Sequence, residues 1–186
     1  LSADDFYYTD SHWRQERITK VADEIAAQMG AERIGTCEIQ DTGRPFYGVY
    51  YGQAALPHAP ERLFYLDNAV IRGLQVYNVE TQSDIPVYDL DAAAGRDPYE
   101  MFLGGARSII RITNPNAAKE RRLIVFRDSF GSSIAPLLAA GYSEITLVDI
   151  RYISPLSLGK LIDFTKADDV LFLYSASVIN NSETIK

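Results

Sequence analysis

The last third of the chain alternates short apolar runs with helical patterns, and no other feature constrains the fold as strongly. Apolar runs at residues 123–126, 145–148 and 170–174 have the length of strands, and helical patterns at 132–140 and 155–166 lie between them. A β-α-β-α-β order makes the strands parallel through right-handed crossovers, and continuous apolar runs are typical of strands buried on both faces. We therefore expect an α/β fold with a central, largely parallel sheet.

The earlier part of the chain divides into a helix and a β-rich segment. From Arg14 to about Met29, apolar residues recur every three or four positions, and Gly30 is suited to end that helix. From Glu32 to about Leu66, glycines separate short runs in a pattern that predicts β-hairpins, and residues 67–98 mix short strands, such as 74–79 and 87–90, with polar loops. Residues 107–112 are expected to form a further strand. We interpret residues 1–186 as one domain with a β-rich insertion at about 33–95.

Composition excludes several classes of function. The net charge of -7 and the isoelectric point near 4.8 argue against a nucleic-acid binder, because no basic face is available to neutralise phosphates. The single Cys37 excludes an internal disulfide and a cysteine-based zinc site. No apolar run approaches the roughly 20 residues of a membrane-spanning helix. The first residue is Leu, so the absence of a targeting segment says little.

A serine lies where the first of the three strands turns into its helix. Ser129 belongs to the sequence Arg-Asp-Ser-Phe-Gly at residues 127–131. At such a turn the hydroxyl is exposed at the C-terminal edge of the sheet, and the helix N-terminus offers backbone N–H groups to a developing anion. This position favours a nucleophile. The alternative is structural, because Asp128 or Ser129 is also suited to cap the helix.

The chain has two histidines, so the search for a general base is short. His12 follows Asp10 by two residues, and in a loop this spacing lets the carboxylate bond one ring nitrogen while the other faces outward. The alternative is a helix start, in which Asp10 or Ser11 is the cap and Trp13 packs on the core. His58 lies in a proline-rich loop at residues 56–60, and we expect it to be exposed.

Together, the two motifs resemble a known family. Residues 10–13 (Asp-Ser-His-Trp) and 127–131 are similar to the SGNH-hydrolase-like proteins of bacterial cell-surface polysaccharide O-acetylation, above all to the family named for its Asp-His-His-Trp motif. Alginate O-acetylation proteins share the looser Asp-x-His-Trp form. Ser11 stands in place of the first histidine of the naming motif, and Arg14 in place of the usual threonine. Segments 99–105, 149–152 and 169–174 are also similar, so the likeness spans nearly the whole chain.

The resemblance implies an SGNH-like three-layer fold with a permuted motif order, in which the Asp-x-His motif precedes the serine strand. It also implies that the chain is the C-terminal part of a longer protein. Ser129 would attack the acyl carbon, His12 would take its proton, and Asp10 would orient His12. Asp128 is the reserve candidate for that last role.

Further site residues follow from the same resemblance. The Ser129 amide is expected to help hold the oxyanion. A second donor is expected from Gly105, in the Gly104–Gly105 turn, or from Asn114. Arg151 is expected either to bind the substrate or to pair with Asp149 or Asp128.

The implied chemistry is transfer or hydrolysis of acetyl groups on a cell-envelope polysaccharide. An O-acetyltransferase and an acetylesterase use the same three residues and differ in whether a sugar or water accepts the acyl group. The expected partners are a polysaccharide or acetylated sugar and a membrane acyltransferase, in an extracytoplasmic location at the cell surface or in the periplasm. This mechanism needs no metal or organic cofactor. The alternatives are a non-catalytic module that binds a glycan or a partner protein through aromatic loops, and a structural domain in which both motifs are helix caps.

Overall fold

The computed structural model describes residues 1–54 and 58–181. The α-helices are α1 (Thr19–Gln28), α2 (Val49–Ala54), α3 (Ala69–Arg72), α4 (Phe130–Leu138), α5 (Pro155–Leu161) and α6 (Ala176–Asn180). The strands are β1 (Glu38–Phe46), β2 (Glu61–Asp67), β3 (Gln75–Asn78), β4 (Ser83–Ile85), β5 (Ile109–Thr113), β6 (Arg122–Arg127), β7 (Glu144–Val148) and β8 (Asp169–Leu173). Short 3-10 helices lie at Ala3–Asp5, Gln15–Arg17, Ala92–Ala94, Pro98–Met101, Ala139–Gly141 and Phe164–Lys166.

A mixed sheet with the strand order β4-β3-β5-β7-β6-β8 forms the centre of the fold. Strands β7, β6 and β8 are parallel, as the β-α-β-α-β pattern predicts. On one face of the sheet, Leu123 and Val125 pack in a core with residues of α1 and α4. On the other face, Ile124 packs with Leu158 of α5. Helices therefore cover both faces, and the predicted α/β class is confirmed.

The expectation of a largely parallel sheet is wrong for the other half. Strand β5 pairs antiparallel with β7 and with β3, and β3 pairs antiparallel with β4. Continuous apolar runs report burial on both faces, and Ile109, Ile110 and Ile112 of β5 are buried in that way. An antiparallel strand in the middle of a sheet therefore carries the same signal as a parallel one.

The β-rich segment contributes to two sheets. Strands β1 and β2 form a separate antiparallel hairpin with a bulge between Asp41 and Pro45. Strands β3 and β4 join the central sheet instead. The predicted helix over residues 14–29 begins as the 3-10 turn Gln15–Arg17 and continues as α1. The helix predicted over 132–140 begins two residues earlier, with Phe130, directly after Ser129.

Candidate active site

Ser129 occupies the turn between β6 and α4. It stands at the N-cap position, with backbone angles of φ -59° and ψ -25°, but its side chain makes no capping hydrogen bond. Asp128 supplies that bond instead, since its Oδ1 accepts from the Phe130 amide at 3.0 Å. The Ser129 hydroxyl lies 2.6 Å from Nε2 of His12. The turn thus separates the two functions that the sequence left open: Asp128 caps the helix, and Ser129 faces the histidine.

Asp10 fixes the orientation of His12. Its Oδ1 lies 2.5 Å from His12 Nδ1 and accepts from the His12 backbone amide at 3.0 Å. With the proton on Nδ1, His12 donates to Asp10, and Nε2 is left as the acceptor for the Ser129 hydroxyl. The Asp10 carboxylate is buried and does not cap the 3-10 turn Gln15–Arg17 or α1, which follow it in the chain. Ser129, His12 and Asp10 therefore form one hydrogen-bonded series.

The charge of Asp10 is stabilised by a second donor. Its Oδ2 accepts from the backbone amide of Val49, the first residue of α2, at 3.0 Å. Burial by itself raises the pKa of the Asp10 carboxyl, but the hydrogen bonds from His12 and Val49 outweigh it and hold that pKa below its ordinary value. An ionised Asp10 is suited to stabilise an imidazolium at His12.

The loop that carries Asp10 and His12 is closed on itself and tied to the hairpin. Phe6 pairs with Trp13, and the Tyr7 amide donates to the His12 carbonyl at 3.1 Å. Thr9 donates from its amide to Glu61, in β2, at 2.9 Å. The hairpin therefore holds the loop against the turn that bears Ser129.

Trp13 connects the same loop to α4. Its Nε1 donates to Oγ of Ser133 at 2.8 Å, and its ring lies edge-on to Phe130. Gln15, which is fully buried, donates to the Ser133 carbonyl at 2.6 Å. Because Ser133 lies one helical turn after Ser129, these bonds fix the loop relative to the serine.

Arg151 is held by an acidic partner. Its Nε and Nη2 donate to the two carboxylate oxygens of Asp149 at 2.9 and 2.7 Å. Of the two roles expected for Arg151, the structure shows the ion pair with Asp149. The fully buried Arg127 lies 3.8 Å from the same carboxylate. Asp128, the reserve candidate for orienting His12, accepts from the Ser175 amide at 2.7 Å in addition to its cap.

Of the two candidates for a second oxyanion donor, Asn114 lies away from Ser129. Asn114 follows β5, which runs antiparallel to β7, so it lies at the opposite edge of the sheet; its Nδ2 donates to the Ala139 carbonyl at 2.9 Å. The prediction for Asn114 is therefore wrong. The Gly105 amide donates to the Phe102 carbonyl at 3.1 Å, and its role as an oxyanion donor stays a prediction. At φ +72°, Gly105 serves the turn itself.

Residues of α2 contribute to the lining of two cavities. An aromatic groove of about 530 Å³ runs beside Phe130 and is lined in part by Ser11, Trp13 and Tyr50. A cleft of about 780 Å³ is lined by Tyr47 and Tyr51 together with the polar residues Gln53, Arg96, Asp97 and Glu100. His58 is exposed, as expected, although residues 56 and 57 of its loop lie outside the described residues.

The described part of the chain contains no cluster of three or more His, Cys, Asp or Glu residues that fits a metal ion. Within the same residues, no helix is long and apolar enough to cross a membrane.

Comparisons with known proteins give likeness at the level of structure. No family model matches the chain, and no curated protein matches its sequence. A DHHW family protein from Eubacterium siraeum superposes with a TM-score of 0.72 at 22% identity, over 98% of this chain and 63% of that one. PatB1 of Bacillus cereus with a sulfonyl adduct gives 0.70 at 21% identity, over 95% of this chain and 62% of that one. A second structure of PatB1 gives 0.68 at 21% identity.

The likeness is one of fold. At 21–22% identity the superpositions show a shared fold. The chain spans less than two thirds of the length of each of these structures. The neighbours nevertheless include a protein of the family that the two sequence motifs resemble.

Proposed function

We propose that the chain is an SGNH-like serine acyl-transfer domain in which Ser129, His12 and Asp10 act as a catalytic triad. The observation that carries the proposal is the hydrogen-bonded series from Ser129 Oγ through the His12 ring to Asp10, with distances of 2.6 and 2.5 Å. A nucleophile, a base that contacts it and a carboxylate that orients the base are the parts that acyl transfer requires.

The first half of the reaction forms an acyl-enzyme. Ser129 Oγ attacks the carbonyl carbon of the ester while His12 Nε2 takes the hydroxyl proton. The tetrahedral intermediate then expels the sugar oxygen, which receives that proton from His12. In the second half, water or a sugar hydroxyl attacks the acyl carbon, with His12 again as the base, and Ser129 is released. Asp10 stabilises the imidazolium in both halves.

We assign the backbone amide of Ser129 as a hydrogen-bond donor to the oxyanion of the tetrahedral intermediate. The next two amides of the turn have acceptors within it, because Phe130 donates to Asp128 Oδ1 and Gly131 donates to the Asp128 carbonyl at 3.0 Å. Donors fixed before the reaction stabilise the developing charge most effectively, and an amide in a rigid strand-to-helix turn meets that condition.

The substrate and location are proposed from the family likeness. We assign the acyl group as acetate and the other partner as a cell-envelope polysaccharide or acetylated sugar, with a membrane acyltransferase as a protein partner and an extracytoplasmic site of action. Support comes from the motif resemblance and from the fold neighbours named for the DHHW family and for PatB1. The sulfonyl adduct of one PatB1 structure is also relevant, because nucleophilic residues form such adducts.

Hydrolysis of p-nitrophenyl acetate tests the proposal. We expect Ser129→Ala to reduce the rate by several orders of magnitude, as removal of a triad member does elsewhere. Ser157→Ala is a matched control, because Ser157 is exposed on α5. Equal rates for the wild type and Ser129→Ala would reject the triad.

A non-catalytic binding module is the second candidate, and one observation favours it. The cleft of about 780 Å³ is lined by tyrosines and polar groups of the kind that bind sugars, and its lining includes none of Ser129, His12 and Asp10. A module of this kind would bind oligosaccharides equally well with and without Ser129. Isothermal titration calorimetry of the wild type and of Ser129→Ala with oligosaccharides measures this directly.

A further inference from the structure

Tyr99 lies flat against the imidazole of His12. The two ring centroids are 3.9 Å apart, and the ring planes differ by 11°. Phe130 also contacts the imidazole, but at 5.1 Å and with a tilt of 42°. Tyr99 is 3% exposed, so water does not compete for this face of the histidine. The position of the His12 ring therefore depends on Tyr99 as well as on Asp10.

The hydroxyl of Tyr99 is anchored to the helix that begins at Ser129. It donates to Oγ of Ser133 at 2.7 Å, and the same oxygen accepts from Trp13 Nε1. The Tyr99 amide is fixed from the other side by the Asp97 carboxylate at 3.1 Å. The ring of Tyr99 thus contacts His12, and its hydroxyl bonds to α4, so this one residue connects the two.

The chemistry of the contact suits a base that becomes positively charged. The face of an aromatic ring attracts a cation, and the attraction is strongest where water is excluded. Burial raises the pKa of the Tyr99 hydroxyl far above its ordinary value, so the phenol stays neutral and does not compete with Ser129 as a proton donor. The ring also blocks rotation of the imidazole away from the line between Ser129 and Asp10.

We propose that Tyr99 is a positioning residue that holds the His12 imidazole in line with Ser129 and stabilises its protonated form. The inference rests on the proposed function, because a positioned base matters only if Ser129 reacts. Tyr99 does not contact the substrate in this role and acts through His12.

Three variants of the full chain test the proposal. Tyr99→Leu removes the ring, and Tyr99→Phe keeps the ring but removes the hydroxyl. Tyr142→Leu is the matched control, because Tyr142 is also buried. Its hydroxyl donates to Asp169 at the start of β8, which is the opposite end of the parallel strands from Ser129. Rates are measured with p-nitrophenyl acetate. We expect Tyr99→Leu to lower kcat about tenfold or more with little change in KM, and Tyr99→Phe to stay within about threefold of the wild type.

A spectroscopic arm is independent of turnover. The chain has two histidines, so the carbon-bound ring protons of His12 and His58 are easily assigned by NMR. A ring stacked at 3.9 Å shifts the His12 protons upfield, and we expect that shift in the wild type and in Tyr99→Phe but not in Tyr99→Leu. Unchanged His12 signals in Tyr99→Leu would overturn the inference. A kcat loss no greater than that of Tyr142→Leu would also overturn it.

The two arms separate this inference from the proposed function. If the wild type does not hydrolyse the ester, the proposed function fails, while the NMR comparison still decides whether Tyr99 holds His12. If the wild type is active and depends on Ser129, but Tyr99→Leu keeps its kcat, the inference alone fails.

Discussion

A single methyl group at Gly48 is expected to disrupt the proposed active site. Gly48 precedes α2, and a Cβ built on it would lie 2.2 Å from the Thr9 carbonyl oxygen and 2.4 Å from Asp10 Cβ, below the 3.0 Å that real Cβ atoms essentially never violate. Restoring ordinary contact requires the loop that carries Asp10 to move by about 1 Å. Misplacement of a catalytic group by about 1 Å costs roughly 100-fold in rate. Overpacking of this kind costs about 1–3 kcal/mol of stability.

Gly52→Ala is the matched control. Gly52 lies within α2, the helix that Gly48 precedes, and a Cβ there would meet nothing within 4 Å. We expect Gly52→Ala to retain activity and to gain up to about 1 kcal/mol, because alanine is the better helix former. The measurements are urea unfolding and p-nitrophenyl acetate hydrolysis on both variants. A Gly48→Ala variant with wild-type rate and stability would refute the tight contact between α2 and the Asp10 loop.

Three further changes bear on the same site. Asp10→Asn should lower kcat by about 10⁴-fold, because the amide favours the wrong tautomer of His12; kinetics on the variant, with its native fold checked by circular dichroism, would establish this. Ser133→Ala should destabilise the fold by roughly 2–3 kcal/mol in urea unfolding, because Trp13 and Tyr99 both lose a buried acceptor. The pKa of Asp10 is lowered on folding, so its ionised form adds stability that is lost as the pH falls below about 4; the stability gap between wild type and Asp10→Asn should narrow there.

Two parts of this structure were predictable from the sequence because their signals are local. The strand-helix-strand alternation of the last third identified β6, β7 and β8. The apolar residues of β6 and β7 are largely buried, whereas β8 is an edge strand on which Val170 and Phe172 are exposed. The approach of His12 to Ser129 was predictable for a different reason. With two histidines in the chain, an Asp-x-His spacing and a serine after a strand left few other pairings.

Other parts depend on long-range geometry that local patterns do not encode. The direction of β5 decides at which edge Asn114 lies, and an antiparallel central strand has the same apolar composition as a parallel one. Tyr99 is one of 12 tyrosines, and nothing in its local sequence distinguishes a ring that stacks on His12 from one that fills the core. The bond from Val49 to Asp10 depends on the path of the chain over 39 residues.

The most direct test of the account is covalent labelling of Ser129. A sulfonyl fluoride reacts with an activated serine by forming a sulfur–oxygen bond and releasing fluoride, and mass spectrometry of peptides then locates the sulfonyl group. If His12 activates Ser129, the wild type gains one sulfonyl group on the peptide that carries Ser129, and the label is absent in Ser129→Ala and much slower to form in His12→Ala. An unlabelled Ser129, or labelling at the same rate in His12→Ala, would contradict the proposed triad.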